Sequence, residues 1–380
     1  MLPRTVVLLR TGLPATARDA AWPLAIGNAL NLSSGDYALH LRTARRVRAE
    51  WGWRRKAAAS AGIPGPRPED GGAWAAGQAG QEEEAGLVRD LDQVSLDVCR
   101  TLPETGHFGD DGPLHGALGR VLDAHAAFSR RRAAHRHAHP EQKQILPVLE
   151  HKLQPPLPPV HPSPGGPQLV GAGGGEGGGG AQGGGGAHGA SSQLGAGQAA
   201  GRREHGQALV GYVQGQSLLA GMLLLHVREE EAFVCLENLL EMHHLPDFFS
   251  LDPRRILAYS RAFGVFLARH LPRLSARLRA LAIDPTLFLL PWWLTMLAGT
   301  APLGVASRVW DRCLLEGLGP LVSITLALLS AIAGVLLECD FGDTLAILTR
   351  LDRAGVLEGE RQQEAVLHAA SVSVRVSSPE

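Results

Sequence analysis

A glutamine flanked by glycines interrupts a long apolar run. The run reads LVGYVQGQSLLAGMLLLHV over residues 209–227, and Gln214 lies two positions after Tyr212. Glycine costs about 1 kcal/mol relative to alanine inside a helix, so a buried helix would not select Gly211 and Gly215 around an amide. An amide carries both a donor and an acceptor, so it can hold a polar group without a charge of its own. Gln214 is therefore a candidate functional residue.

A second pair of polar residues lies in QVSLDVCRTLP, residues 93–103. Asp97 and Arg100 are three positions apart and would be neighbours on a helix. One interpretation is a solvent-facing ion pair worth a few tenths of a kcal/mol. The other is that Asp97 orients the planar guanidinium of Arg100 towards an anionic group of a partner, for which phosphate has the matching geometry. The spacing alone leaves both open.

Other clusters of polar residues are weaker candidates. His243 and His244 precede Asp247, but adjacent histidines on a helix point about 100° apart and rarely bind one metal ion together. The histidines at 135, 137 and 139 are expected to bind metal only adventitiously. No serine stands in a G-x-S-x-G context, so hydrolase chemistry housed in this chain alone is not supported.

Charge and cysteine content exclude some functions. Lys and Arg total 36 and Asp and Glu total 37, which gives a net charge of -1 and none of the long-range attraction that nucleic-acid binders use. The four cysteines show no CxxC spacing, which argues against a zinc site and a disulfide framework and favours a reduced, intracellular compartment. The first residues contain no apolar stretch long enough for an export signal. We therefore expect a cytoplasmic protein without a nucleic-acid partner.

Helical periodicity supplies the elements that must position these residues. Residues 12–53 predict two helices around a turn at 33–36, and further helices are expected from 86 to 102 and over 113–128. After Gly211 the pattern remains helical to about 355, without alternating β-branched runs. The predicted fold class is all-α, with ten or more helices and two low-complexity insertions.

Composition sets the predicted domain boundaries. We expect an N-terminal tail over 1–11, one helical domain over 12–355, and the end of a helix with a tail over 356–380. The domain is interrupted by a linker at 54–85 and by a Pro-, His- and Gly-rich insertion at 129–206. Such an insertion cannot bury enough apolar area to offset its backbone entropy, so disorder is predicted there.

One uncharged segment has the length of a membrane span. Residues 317–337 read GLGPLVSITLALLSAIAGVLL, and about 20 apolar residues suffice to cross a bilayer. Pro320 and Gly334 within the run, and the absence of flanking Lys and Arg clusters, favour a helix buried in a large helical domain. A helical membrane protein stays as the weaker alternative. The aromatic-rich stretch that contains Trp292 and Trp293, and Trp310 further on, are also predicted to lie in the core.

The order of these segments carries more information than each one separately. The segments are GLPATARDAAW (12–22), VSLDVCRTLP (94–103), GYVQG (211–215), EEEAFVCLENLLE (229–241), IDPTLFLLPWWLTMLAG (283–299) and SRVWDRCLLEG (307–317). The series resembles the TBC domain of Rab GTPase-activating proteins, an all-helical fold with the signatures IxxDxxR and YxQ. The resemblance spans residues 12 to about 355, apart from the two insertions.

The resemblance implies roles for particular residues. Arg100 matches the family's arginine finger and Gln214 its glutamine finger, both of which enter the nucleotide site of a GTP-bound Rab. Val94, Asp97 and Tyr212 match the remaining signature positions. Supporting roles are also implied for Thr101, which follows the arginine, and for Gly215, whose missing side chain would let a partner's loop approach or would simply end a helix. Arg308 and Asp311, in the family-like RVWD stretch, are expected to pair with charges elsewhere.

The implied function is stimulation of GTP hydrolysis by a Rab-family small GTPase, in the regulation of vesicle trafficking. The chain would need no cofactor of its own, because the Rab supplies GTP and Mg²⁺, and it would associate with endomembranes only peripherally, through the Rab. An inactive TBC-like module that binds a GTPase as effector or scaffold is the alternative. The sequence departs from the family at Gln216, where the signature usually continues with an apolar residue.

Overall fold

A computed structural model describes residues 12–60, 79–138 and 211–373, apart from 356 and 358. All of these residues fall in one compact unit. Its described ranges hold fourteen α-helices and no β-strand, which confirms the predicted all-α class. The helices are α1 Arg18–Ile26, α2 Ser34–Ser60, α3 Ala79–Val98, α4 His115–Ala138, α5 Gln216–Leu224, α6 Glu229–Leu239, α7 Leu245–Phe249, α8 Pro253–His270, α9 Pro272–Ala280, α10 Thr286–Leu294, α11 Leu303–Glu316, α12 Gly319–Glu338, α13 Phe341–Thr349 and α14 Glu360–Ser373.

Several helices extend into segments predicted to lack structure. Helix α2 continues to Ser60 and α3 begins at Ala79, so only 61–78 of the expected linker lies outside the described residues. Helix α4 continues through 129–138, and 360–373 form a complete helix rather than a helix end. The composition of these pieces is rich in Ala, Gln, Glu and Arg, which are strong helix formers even where no apolar stripe is visible. The predicted tail 1–11 and insertion residues 139–206 lie outside the described residues.

Helix α4 is the central element of the N-terminal half. It packs against α2, α3, α5 and α6. Between its residues 118 and 127 it buries apolar side chains, among them Leu118, Val121 and Leu122, which are inaccessible to solvent. A helix surrounded by neighbours needs an apolar surface over most of its circumference. The polar residues within this buried part of α4, such as His125, must therefore find partners inside the protein.

Helix α12 has the corresponding role in the C-terminal half. By length and composition it could cross a membrane, and half of its most apolar window is buried inside this structure. It packs against α14 and α11 and also against α8 and α9, and Trp293 Nε1 donates to Thr325 Oγ1 on it at 3.0 Å. Trp292, Trp293 and Trp310 are buried as predicted. The packing is that of a core helix.

Candidate functional site

The segment that carries Gln214 is a turn rather than a helix. Residues 211–215 precede α5, which begins at Gln216, and the backbone N–H of Gln216 donates to the carbonyl oxygen of Val213 at 3.2 Å. The Gln214 side chain is exposed and forms no hydrogen bond with the residues that the structure describes. The turn thus presents an amide to solvent while the chain on either side of it is buried.

Arg100 occupies an equivalent position at the end of α3. The helix ends at Val98, and the backbone N–H of Arg100 closes a turn to the carbonyl oxygen of Asp97 at 3.2 Å. The guanidinium is exposed and makes neither a hydrogen bond nor an ion pair within the described part of the chain. A solvent-facing Asp97–Arg100 ion pair, one of the two interpretations of the spacing, is therefore wrong.

Asp97 has a different partner from the one expected. Its carboxylate accepts a hydrogen bond from the Tyr212 hydroxyl at 3.0 Å and another from Gln93 Nε2 at 3.1 Å. Burial raises the pKa of Tyr212, so the phenol stays protonated and can donate. Asp97 therefore orients Tyr212 and not Arg100, and it joins the end of α3 to the turn that carries Gln214.

Thr101 strengthens the same connection. Its hydroxyl donates to the carbonyl oxygen of Asp97 at 2.8 Å, and its side chain is almost fully buried. A Cβ atom at Gly221 on α5 would lie 2.8 Å from Thr101 Cγ2, so α5 approaches this residue as closely as a glycine allows. The two exposed side chains, Arg100 and Gln214, are thus presented by backbone segments that are packed and hydrogen-bonded to each other.

Contacts within the protein explain why glycine is needed at both glycine positions of the turn. Gly211 has φ +81° and donates its N–H to Ser129 Oγ at 3.0 Å, and a Cβ there would meet Asp90 Oδ2 at 2.2 Å. Gly215 is the N-cap of α5 with φ +101°, and a Cβ there would lie 2.6 Å from Leu294 Cδ2. Gly215 thus lies at the N-terminal end of α5, and the close approach of a partner's loop to it stays a prediction.

Gly215→Ala is expected to destabilise the protein by about 1–3 kcal/mol, because a side chain would be held in a left-handed backbone conformation against Leu294. The midpoint of urea unfolding measures this loss. Gly119→Ala in α4 is the matched control, since nothing lies within 4 Å of its added Cβ and the substitution should be neutral or stabilising. Equal midpoints for Gly215→Ala and the wild type would show that the turn does not need this conformation.

A buried polar network holds the other side of the turn, and sequence reasoning missed it. Gln216 Oε1 accepts from the backbone N–H of Val213 at 2.7 Å and lies 3.0 Å from His125 Nε2. His125 Nδ1 lies 2.7 Å from Glu237 Oε1 on α6. His125, Gln216 and Glu237 are all at most 3% exposed. The one signal in the sequence was the departure from the family pattern at Gln216.

The His125–Glu237 pair has coupled titration behaviour. Burial by itself lowers the pKa of His125, but the nearby Glu237 carboxylate and the hydrogen bonds to Glu237 and Gln216 outweigh it and leave this pKa above its ordinary value. Burial raises the pKa of Glu237, and His125 offsets this only in part. Both directions mean that the folded pair retains a proton more firmly than the separate groups would.

The remaining predicted residues are structural. His244 is buried, with Nε2 2.8 Å from the carbonyl oxygen of Trp293, so it is a core histidine. Asp311 forms a buried ion pair with Arg18, and Arg308 Nη2 lies 3.4 Å from Glu364 Oε1. The sequence predicted that both residues pair with opposite charges but did not identify the partners.

The described residues form an all-helical domain that presents an arginine and a glutamine, neither of them hydrogen-bonded within these residues, from two linked segments. Residues 205–337 match the model of the Rab-GTPase-TBC domain family. TBC1 domain family member 14 of Bos taurus is 27% identical over 340 residues, and member 12 of Xenopus tropicalis is 26% identical over 340 residues. Both alignments cover 90% of this chain but only 35% and 36% of those proteins.

A solved structure supports the fold independently of sequence. The crystal structure of a Chlamydomonas flagellar RabGAP TBC domain superimposes with a TM-score of 0.54, at 16% identity, over 97% of this chain and 84% of that one. The chain therefore has the fold of that domain and is similar to the TBC-domain Rab GTPase-activating protein family, with the family model itself matching residues 205–337. It spans about a third of the length of the curated relatives above.

Proposed function

We propose that this chain is a GTPase-activating module for a Rab-family small GTPase, with Arg100 and Gln214 acting in trans on the bound GTP. The observation that carries the proposal is the 3.0 Å hydrogen bond from Tyr212 to Asp97, which links the segment of Arg100 to the segment of Gln214. The two exposed side chains are otherwise 114 positions apart in the sequence, and neither forms a hydrogen bond or ion pair with the described residues that reaching a partner would break.

The chemistry of phosphoryl transfer suits these two groups. Negative charge develops on the γ-phosphoryl oxygens and the leaving oxygen, and an arginine supplied in trans stabilises it there. The glutamine amide would accept from the attacking water and donate to the phosphoryl group, which holds the water in line. GTP and Mg²⁺ would come with the Rab, so this chain needs no cofactor. A cytoplasmic location, peripheral on endomembranes through the Rab, is part of the same proposal.

A panel of purified GTP-loaded Rabs tests the function. We expect one or a few members to hydrolyse GTP about 10³–10⁵ times faster at saturating concentrations of this protein. Phosphate release under single-turnover conditions measures the rate. Binding to a GTP-loaded Rab without any acceleration would favour the inactive effector module instead. The absence of both binding and acceleration across the panel would refute the proposal.

A further inference from the structure

Gln216 is a polar residue in a position that buries it completely. Within its side chain only Oε1 is hydrogen-bonded, since Nε2 has no hydrogen-bond partner among the described residues. A buried amide nitrogen without a partner is unfavourable, so the contacts of the side-chain oxygen must stabilise this residue. Those contacts are the Val213 N–H, one residue before Gln214, and His125 Nε2.

The backbone fixes the orientation of this amide. The Val213 N–H can only donate, so Gln216 must present its oxygen rather than its NH₂ group. The same oxygen faces His125 Nε2, which must therefore carry a proton. Two donors, the imidazole Nε2–H of His125 and the backbone N–H of Val213, thus converge on a single acceptor, Gln216 Oε1.

The second ring nitrogen of His125 also needs a proton. An unprotonated Nδ1 would face the Glu237 carboxylate at 2.7 Å, lone pair against lone pair. Imidazole is ordinarily more basic than a carboxyl group, so the proton of the pair belongs on the ring. Asp90 on α3 adds a further negative charge that favours the cation, and Arg132 and Glu241 lie near Glu237 with opposite effects. With the ring as an imidazolium, both nitrogens donate, Nε2 to Gln216 and Nδ1 to Glu237.

We propose that His125, as a buried imidazolium held by Glu237, is a positioning residue that fixes the turn of Gln214 through the side chain of Gln216. The inference rests on the proposed function, because it assigns His125 the task of directing the glutamine that acts on GTP. Tyr212 and Asp97 hold the turn on one side and Gln216 and His125 hold it on the other. Gln214 is left with freedom of its side chain but not of its backbone.

Two measurements test the proposal without any Rab. In ¹⁵N-histidine NMR of the full chain at neutral pH, both ring nitrogens of His125 should report a bound hydrogen. In Gln216→Met, the backbone amide of Val213 should exchange its hydrogen with deuterated solvent at least about tenfold faster than in the wild type, because its acceptor has gone. A neutral His125 ring, or unchanged exchange at Val213, would overturn the proposal.

Asn238→Leu is the matched control for these experiments. Asn238, which follows Glu237 on α6, is also a buried amide; it accepts from the Leu30 N–H at 2.9 Å and donates to Asn28 and Val234, none of which lies in the turn. The substitution Asn238→Leu should lower the unfolding midpoint as Gln216→Met does, but it should leave hydrogen exchange at Val213 unchanged. Loss of protection at Val213 in both variants would mean that any destabilisation loosens the turn, and the specific role of Gln216 would be refuted.

Kinetics on a responsive Rab separate positioning from general stability. Gln216→Met should lower kcat by about 10- to 100-fold with little change in KM, since a misplaced reacting group costs rate rather than binding. In a Gln214→Ala background the same change should cost less than about twofold, because there is no longer a glutamine to position. Full additivity of the two substitutions would refute the link. If no Rab responds to the wild type, the proposed function fails, while the NMR and exchange results still decide the state of His125.

Discussion

Arg100→Ala is expected to lower the rate of GTP hydrolysis that this protein stimulates in a responsive Rab by a factor of about 10³–10⁵. At about 1.4 kcal/mol for each factor of ten, this is roughly 4–7 kcal/mol of transition-state stabilisation. The expected loss is large because the guanidinium would meet charge that exists only during the reaction. Single-turnover GTP hydrolysis at saturating protein measures the effect.

The same substitution should leave the fold unaffected. The Arg100 side chain is exposed and makes no hydrogen bond or ion pair with the described residues, so the free energy of unfolding should change by no more than about 0.5 kcal/mol. Arg42→Ala is the control, because Arg42 is also exposed, on α2, but far along the chain from both signatures. Equal losses of activity for Arg42→Ala and Arg100→Ala would mean that arginine charge in general, and not an arginine finger, drives the acceleration.

Gln214 gives the complementary test. Gln214→Ala removes the amide, and Gln214→Glu keeps its shape but adds a negative charge that would repel the phosphate. Both variants should lose most of the acceleration while unfolding at the wild-type midpoint, since the side chain is exposed and has no partner in the described chain. Retained activity in Gln214→Glu would contradict a role next to the γ-phosphate.

The largest expected effect on stability lies away from this site, at Asp311. Its carboxylate accepts from Arg18 Nε and Nη2 at 2.9 Å each, from Trp22 Nε1 at 2.8 Å and from the backbone N–H of Leu13 at 2.9 Å. Asp311 is 1% exposed and Arg18 is 8% exposed. This one carboxylate therefore joins the start of the described chain to the middle of α11.

Asp311→Ala should destabilise the protein by about 3–5 kcal/mol, because it leaves a buried guanidinium without its counter-charge and an indole N–H without an acceptor. Urea unfolding followed by circular dichroism measures the change. Asp92→Ala is the control: Asp92 also pairs with an arginine, Arg55, but both side chains are more than 40% exposed, and its loss should cost no more than about 1 kcal/mol. Similar losses from the two variants would show that burial does not set the strength of the Asp311 pair.

The fold class and the two candidate finger residues were predicted from the sequence for different reasons. Helices follow from the spacing of apolar residues, which is a local property and can be read directly. Gln214 stood out because an amide is unsuited to an apolar run, and Arg100 stood out because the order of its segment and that of Gln214 along the chain matches a known series. Their assignment as fingers stays a prediction until the kinetic tests are made.

Helix lengths were predicted less well where composition was misleading. The pieces at 54–60, 79–85 and 129–138 contain few apolar residues in a regular pattern and were assigned to insertions. In the structure they continue α2, α3 and α4, because their residues favour helix and each extends a helix already formed. The C-terminal helix 360–373 packs against α12 and α11, and this contact between distant segments cannot be predicted from the local spacing of apolar residues.

By itself the sequence determined which groups are available: an arginine and a glutamine for chemistry, an aspartate in RVWD for an ion pair, and glycines for tight turns. Only the tertiary structure decided which groups meet. Asp97 contacts Tyr212, 115 positions away, instead of Arg100 three positions away, and Gln216 meets His125 across 91 positions. Spacing along one helix predicts neighbours on that helix, whereas a buried polar group takes whichever partner the packing of several helices brings within hydrogen-bond distance.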